Sequence, residues 1–163
     1  PHDVAVILRL FGEIPVEVTC AGGSYLTPGL ADVTVSTLLF QSGRRAHIFV
    51  SWLNPFKEQK LVVVGEQRMA VFNDVTAEDK LVLYDQRVDF KEARPVLQND
   101  GQQAIALSGD EPLRRECEHF LDCVATRRSP LTDAESGVRV LRVLEACQAS
   151  LQENGRPISL DEH

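Results

Sequence analysis

At 163 residues, with 44% apolar and 25% charged side chains, the chain has material for one domain, or one domain with a short appendage, around a single sizeable core. A net charge of −7 argues against nucleic acid as the partner, since a phosphate backbone requires a cationic face. No apolar run approaches the ~18–20 residues of a membrane span, and no low-complexity tract points to disorder.

The sequence opens on Pro1-His2-Asp3 without a starting methionine, as a fragment of a longer protein would. Cys20, Cys117, Cys123 and Cys147 show no C-x-x-C spacing. They read as small buried hydrophobes in a reducing cytoplasm, ahead of metal ligands or disulfides.

Residues 3–11 read as a short helix. Val4, Ile7, Leu8 and Phe11 fall at i, i+3, i+4 and i+7 and make one apolar stripe, which Gly12 is placed to end and Pro15 keeps from resuming. Residues 16–21 read as a strand, followed by Gly22-Gly23 and a loop through Pro28-Gly29. Residues 32–74 then read as four consecutive strands: 33–40, 45–53, 61–64 and 69–72. Their short connections favour an antiparallel meander, with Gly43 free to take a positive φ in the first turn. By the period of two, Val33, Val35, Thr37 and Leu39 share one face, while Thr34, Ser36, Leu38 and Phe40 share the other. Neither face is cleanly polar. One side is therefore expected to take the chain's helices, and the other a partner subunit or another domain.

Weaker strands are expected at 80–84 and 86–90, a loop over 91–103 with a turn at Gln98-Asn99-Asp100-Gly101, and a short strand at 104–107. Two helices close the chain. The first starts near Pro112 and carries Leu113, Cys117, Phe120, Leu121 and Val124 on one face. The second has Thr132 as N-cap with Glu135 three residues on, and turns Val140, Leu141, Leu144, Cys147 and Leu151 inward. Strands followed by segregated helices indicate an α+β domain: an open, predominantly antiparallel or mixed sheet with helices on one face.

Chemistry is sparse. No G-x-G-x-x-G fingerprint follows a strand, and no G-x-x-x-x-G-K-[ST], H-E-x-x-H or G-x-S-x-G is present. His2, His47, His119 and His163 are not at metal-ligand spacing, so no metal is expected. His47 and His119 read as structural or surface residues, and periodicity alone gives His2 no function. Trp52, Asn54 and Lys57 sit at a strand end and the turn after it, a place where a pyrophosphate or sugar could be met. The plainer alternative is a packing tryptophan and a solvated lysine.

Four segments carry a family resemblance: HDVAVILRLFGEIPVEV, LLFQSGRRAHIFVSW, KLVVVGEQRMAVFND and EPLRRECEHFLDCVATRRSPLTDAESGVRVLRVLEACQASLQENGRP. In their order and spacing they resemble the C-terminal domain of the glucose–fructose oxidoreductase/inositol dehydrogenase/MocA (Gfo/Idh/MocA) family, over essentially the whole chain. SYLTPGLADV and SWLNPFKEQKL look most like its branch that oxidises C3 of UDP-N-acetylhexosamines or their uronic acids.

The resemblance implies a single substrate-binding and oligomerisation domain over residues 1–163. Its parent would carry an N-terminal Rossmann domain that binds NAD or NADP and holds the family's E-K-P lysine, which nothing here matches. It also puts His2 at the histidine that ends the family's D-x-x-x-H motif. The motif's aspartate falls outside the chain, and where many members place another aspartate this chain has Ala5. A histidine, titrating near neutrality, suits proton removal from a hydroxyl that loses hydride to a nicotinamide.

The expected protein is thus the cytoplasmic, homodimeric or homotetrameric half of an oxidoreductase acting on a secondary hydroxyl of a sugar or sugar nucleotide, inactive by itself. The competing expectation is a non-catalytic scaffold that self-associates through its sheet face. A third keeps the fold but performs glycoside cleavage or another elimination.

Overall fold

The computed structural model describes residues 1–91, 93–109 and 111–160; His163 lies outside them. The α+β expectation holds: the described strands form two antiparallel four-stranded sheets, accompanied by three helices. Inter-residue contacts divide the chain into two compact units, Pro1–Leu53 with the chain from Cys117 onward, and Asn54–Glu116.

In the first unit, helix α1 (His2–Phe11) leads into strand β1 (Pro15–Gly23), and β2 (Val33–Phe40) and β3 (Arg45–Ser51) form a hairpin. The second unit holds β4 (Lys60–Val64), β5 (Met69–Asn73), β6 (Leu81–Lys91) and β7 (Arg94–Ile105). Helix α2 (Pro112–Thr126) returns the chain to the first unit, where α3 (Ala134–Gln152) and β8 (Ile158–Ser159) complete it.

The four-stranded meander expected over 32–74 is not one sheet. Strands β3, β2, β1 and β8 make the first sheet in that order, and β4 to β7 make the second. The break falls in the link 52–59, where Pro55 has no N–H to donate and holds the residue before it out of the helical region. So long a link is not a tight hairpin turn.

The expected loop over 91–103 is also corrected. Residues 94–105 are β7, paired along most of β6 from Leu81↔Ile105 to Lys91↔Arg94, with a bulge between Tyr84 and Gln86. Its polar composition hides it. The backbone ladder does not need apolar side chains, and Arg87 ties the two strands through Asp100 at 2.7 Å. Aspartates 89 and 100 hold the Arg87 guanidinium above its ordinary pKa, the Asp100 hydrogen bond leading.

In the first unit α1 behaves as expected. Val4 and Ile7 are buried, Leu8 and Phe11 pack beside them, and Gly12 ends the helix in the left-handed conformation, φ 70°. The core joins these residues to Val18 of β1, Leu38 and Phe40 of β2, and Val143 and Ala146 of α3. Phe11 meets Phe40 edge to face, with ring centroids 4.8 Å apart.

Four details of the closing helices differ from expectation. The N-cap of α3 is Asp133, not Thr132; its carboxylate accepts the Ser136 N–H at 2.8 Å. A charged acceptor at a helix N-terminus outcompetes the adjacent hydroxyl, and the Ser136 hydroxyl, followed by its N–H, holds the Asp133 carboxyl below its ordinary pKa. On α3 the buried residues are Val143, Ala146 and Ser150; Val140, Leu144 and Cys147 pack beside the core, and Leu141 is exposed. On α2 the apolar face expected from the spacing is exposed, with Phe120 63% and Leu121 64% exposed, and only Cys123 is buried. Cys117, expected to be buried, is exposed.

Candidate functional site

The inner face of the first sheet is built in rows. Val18, Leu38 and Ala46 are cross-strand partners and form the core row. One step along come Cys20, Ser36 and Ile48, and then Gly22, Thr34 and Val50. Helix α3 crosses β1 closely at this end. A Cβ on Gly22 would lie 2.3 Å from the Val33 carbonyl oxygen and 3.2 Å from a Leu151 methyl, so only glycine admits the approach.

Beside α3 the two outer rows remain open and floor a cavity of about 270 Å³. Its walls are Pro1, Asp3 and Val4 at the start of α1, and Leu144, Cys147, Gln148 and Leu151 of α3. Aliphatic groups dominate, with the hydroxyls of Thr34 and Ser36, the thiols of Cys20 and Cys147, and the polar ends of Asp3 and Gln148 among them. The Ser36 hydroxyl donates to Cys20 Sγ at 3.3 Å. Burial pushes the Cys147 thiol up, opposed in smaller part by the nearby Ser36 hydroxyl.

A cavity of this volume takes a monosaccharide-sized ligand. Aliphatic walls with a few hydroxyl, amide and carboxylate groups fit a ring whose faces are apolar and whose rim is hydroxylated. Face periodicity puts Ser36 and Thr34 beside Leu38 and Phe40, so hydroxyls on the helix-covered face are the available signal. The part played by α3 is not legible in the sequence, because it depends on how that helix crosses β1.

His2 is the first residue of α1, exposed, between Pro1 and Asp3, which line the cavity. Trp52 follows β3 in the first unit and is 82% exposed; its backbone N–H donates to Asp32 O at 2.8 Å. Asp32 is buried and accepts the N–H groups of Tyr25 and Leu26 at 2.6 and 2.8 Å, fixing the loop before β2. Asn54 and Lys57 are exposed residues of the second unit. There Asp74 is held below its ordinary pKa chiefly by a hydrogen bond from Lys80, with a smaller contribution from Lys57.

The other described histidines have local partners. His47 meets the Thr37 hydroxyl across the hairpin at 3.2 Å, and His119 Nε2 accepts the Leu131 N–H at 3.0 Å. Among the described residues no three His, Cys, Asp or Glu side chains converge as a metal site. Nor, among them, is any helix long and apolar enough to cross a membrane.

These features define an α+β domain with a small open cavity beside the start of its first helix. Residues 1–71 match the family model described as the GFO/IDH/MocA C-terminal domain. Solved structures extend the fold over nearly the whole chain. UDP-N-acetylglucosamine 3-dehydrogenase from Acidithiobacillus ferrooxidans is similar at TM-score 0.77 and 21% identity, over 93% of this chain and 45% of that one. Aldose-aldose oxidoreductase from Caulobacter crescentus, complexed with glycerol, gives 0.73 and 20%, over 98% and 45%. WlbA dehydrogenase from Bordetella pertussis, in complex with NADH and UDP-GlcNAcA, gives 0.69 and 18%, over 99% and 43%. The chain therefore spans less than half the length of each. No curated protein sequence matches.

Proposed function

We propose that residues 1–163 are the substrate-binding and oligomerisation half of a cytoplasmic, nicotinamide-dependent oxidoreductase that dehydrogenates a secondary hydroxyl of a sugar or sugar nucleotide. The observation that carries this reading is the monosaccharide-sized cavity next to the start of α1, where His2 lies between two lining residues.

The residues present do not fit a dinucleotide. All pairings among the described strands are antiparallel, so they contain no βαβ crossover with a glycine-rich turn at a helix N-terminus. The nicotinamide would be held by a separate nucleotide-binding domain of the parent. On this reading the chain's own contribution is to seat the ring against Val4, Ile48, Val50 and Leu144. The His2 imidazole then takes the proton of the reacting hydroxyl as a general base. Trp52 of the first unit and Asn54 and Lys57 of the second remain proposed substrate contacts, the exposed indole as a stacking face and the lysine as a cation.

The test is a steady-state assay of the intact parent with sugars and sugar nucleotides, following nicotinamide reduction and product identity. His2→Ala is expected to lower kcat by about 10²–10⁴ with a much smaller change in KM. The isolated chain is expected to give no turnover. Turnover by the chain alone, or a His2→Ala parent with unchanged kcat, would sink the proposal, and cleavage or elimination products would replace its chemistry. The non-catalytic scaffold is the second reading, favoured by the exposed Val35 and Phe49 on the outer sheet face. It predicts a parent with no nicotinamide-dependent activity on any sugar.

A further inference from the structure

We propose that Cys20 and Cys147 are an oxidisable thiol pair, which a peroxide closes into an intramolecular disulfide joining β1 to α3. This inference rests on the cavity's geometry and not on the enzymatic reading above.

Both thiols line the same cavity. Ser36 lies directly across from Cys20 in the sheet and donates its hydroxyl to Cys20 Sγ at 3.3 Å, and both Ser36 and Cys147 line the same cavity. Helix and strand are already fixed to each other at this point. Ser150, one turn on from Cys147, accepts the backbone N–H of Cys20 itself at 2.8 Å. The pair is asymmetric in access: Cys20 is 4% exposed, whereas Cys147 is only partly buried and reached from the open side of the cavity.

The chemistry balances in two steps. The Cys147 thiolate attacks one peroxide oxygen, the O–O bond breaks, and hydroxide leaves, giving a sulfenic acid. The Cys20 sulfur then attacks the Cys147 sulfur. The S–S bond forms as the S–O bond breaks, and the departing hydroxide takes the remaining proton as water. Overall two thiols and one peroxide become one disulfide and two waters. Because the attacking species is a thiolate and burial disfavours it at Cys147, the first step should be slow at neutral pH. It should quicken by about tenfold per pH unit below the thiol pKa.

The experiment treats the chain with dilute hydrogen peroxide, blocks remaining thiols with iodoacetamide, and maps tryptic peptides by mass. The expected product is a cross-link between peptide 10–44, which contains Cys20, and peptide 143–163, which contains Cys147. It should be lighter than the two free peptides by two hydrogens, be reversed by dithiothreitol, and form faster at higher pH. Cys147→Ser should abolish it while leaving Cys117 and Cys123 alkylated as before. Cross-links confined to Cys117 or Cys123, or Cys147 oxidised to sulfinic acid with Cys20 still alkylated after denaturation, would overturn the proposal.

Discussion

At the scale of single residues, Ser150 has the largest structural consequence for its size. It is fully buried, yet its hydroxyl accepts the Cys20 N–H at 2.8 Å and donates to the Arg156 carbonyl at 2.7 Å. The geometry of β1 explains why. Its edge pairs with β8 only at Glu17 and Val18, and the Leu160 N–H reaches Val16 O at 3.0 Å. The next main-chain group on that edge is the Cys20 N–H, beyond the end of β8. A side chain from α3 takes the place of the missing strand. Ser150→Ala strands a buried N–H, which costs about 1–3 kcal/mol. In urea titrations the midpoint is expected to fall with no change in slope. A midpoint unchanged within error would mean that water replaces the hydroxyl without cost. No residue-level pattern announces this role, because a serine at this position of an amphipathic helix reads as neutral.

At the scale of elements, the joint between α1 and the β2–β3 turn depends on one carboxylate. Glu13 follows the helix, accepts from the Ser42 hydroxyl and N–H, and pairs with Arg44 at 3.2 Å. Arg44 also donates to the Phe11 carbonyl at 3.1 Å and lies over the Phe11 ring, 5.6 Å from its centroid. The Ser42 hydrogen bond is the main reason that Glu13 titrates below its ordinary 4.5. A depressed folded-state pKa stabilises the fold above the unfolded value, and that contribution is lost as pH falls through the folded one. Glu13→Gln is therefore expected to lower Tm near neutrality and to flatten its decline below about pH 4.5. Added salt should shrink the difference, since the Arg44 partner is more than half exposed. Equal acid slopes for the two proteins would rule out the joint as the source.

The same scale shows what a one-dimensional reading captures. The stripe of α1, the β2–β3 hairpin and the inward set Ser36, Leu38 and Phe40 are fixed by local periodicity, and they appear as expected. Strand β7 escapes such a reading because its pairing runs through the backbone, under polar side chains such as Gln98, Asn99 and Gln102. The stripe of α2 is visible as a pattern, but periodicity says only that a helix has an apolar face. It does not say what covers that face, and here Phe120 and Leu121 stand exposed. The cavity is half legible: its floor follows from strand parity, its walls from the crossing of α3.

At the scale of the whole molecule, the outer face of the first sheet presents apolar side chains to solvent. Val35 pairs with Ala21 on one side and Phe49 on the other, and Val35 and Phe49 are 48% and 57% exposed. Thr19, Thr37 and His47 continue the face. Nothing charged interrupts its centre, which suits a second copy of the same surface packed about a two-fold axis. Size limits how strong such pairing is. Three long strands spaced about 4.8 Å apart and roughly 26 Å long give a flat face of roughly 400 Å² per copy. The two copies together fall short of the about 1,200–2,000 Å² of a permanent interface. The sheet by itself should therefore support concentration-dependent pairing of this chain, with tighter assembly requiring more of the parent. Sedimentation velocity over a dilution series is expected to show a reversible monomer–dimer equilibrium. Val35→Lys, which places two ammonium groups near the axis, should shift it to monomer while leaving Tm within a few degrees, as expected for a half-exposed strand position. A chain that stays monomeric at every concentration, or a Val35→Lys protein that dimerises as tightly as the unsubstituted one, would assign the face to another partner.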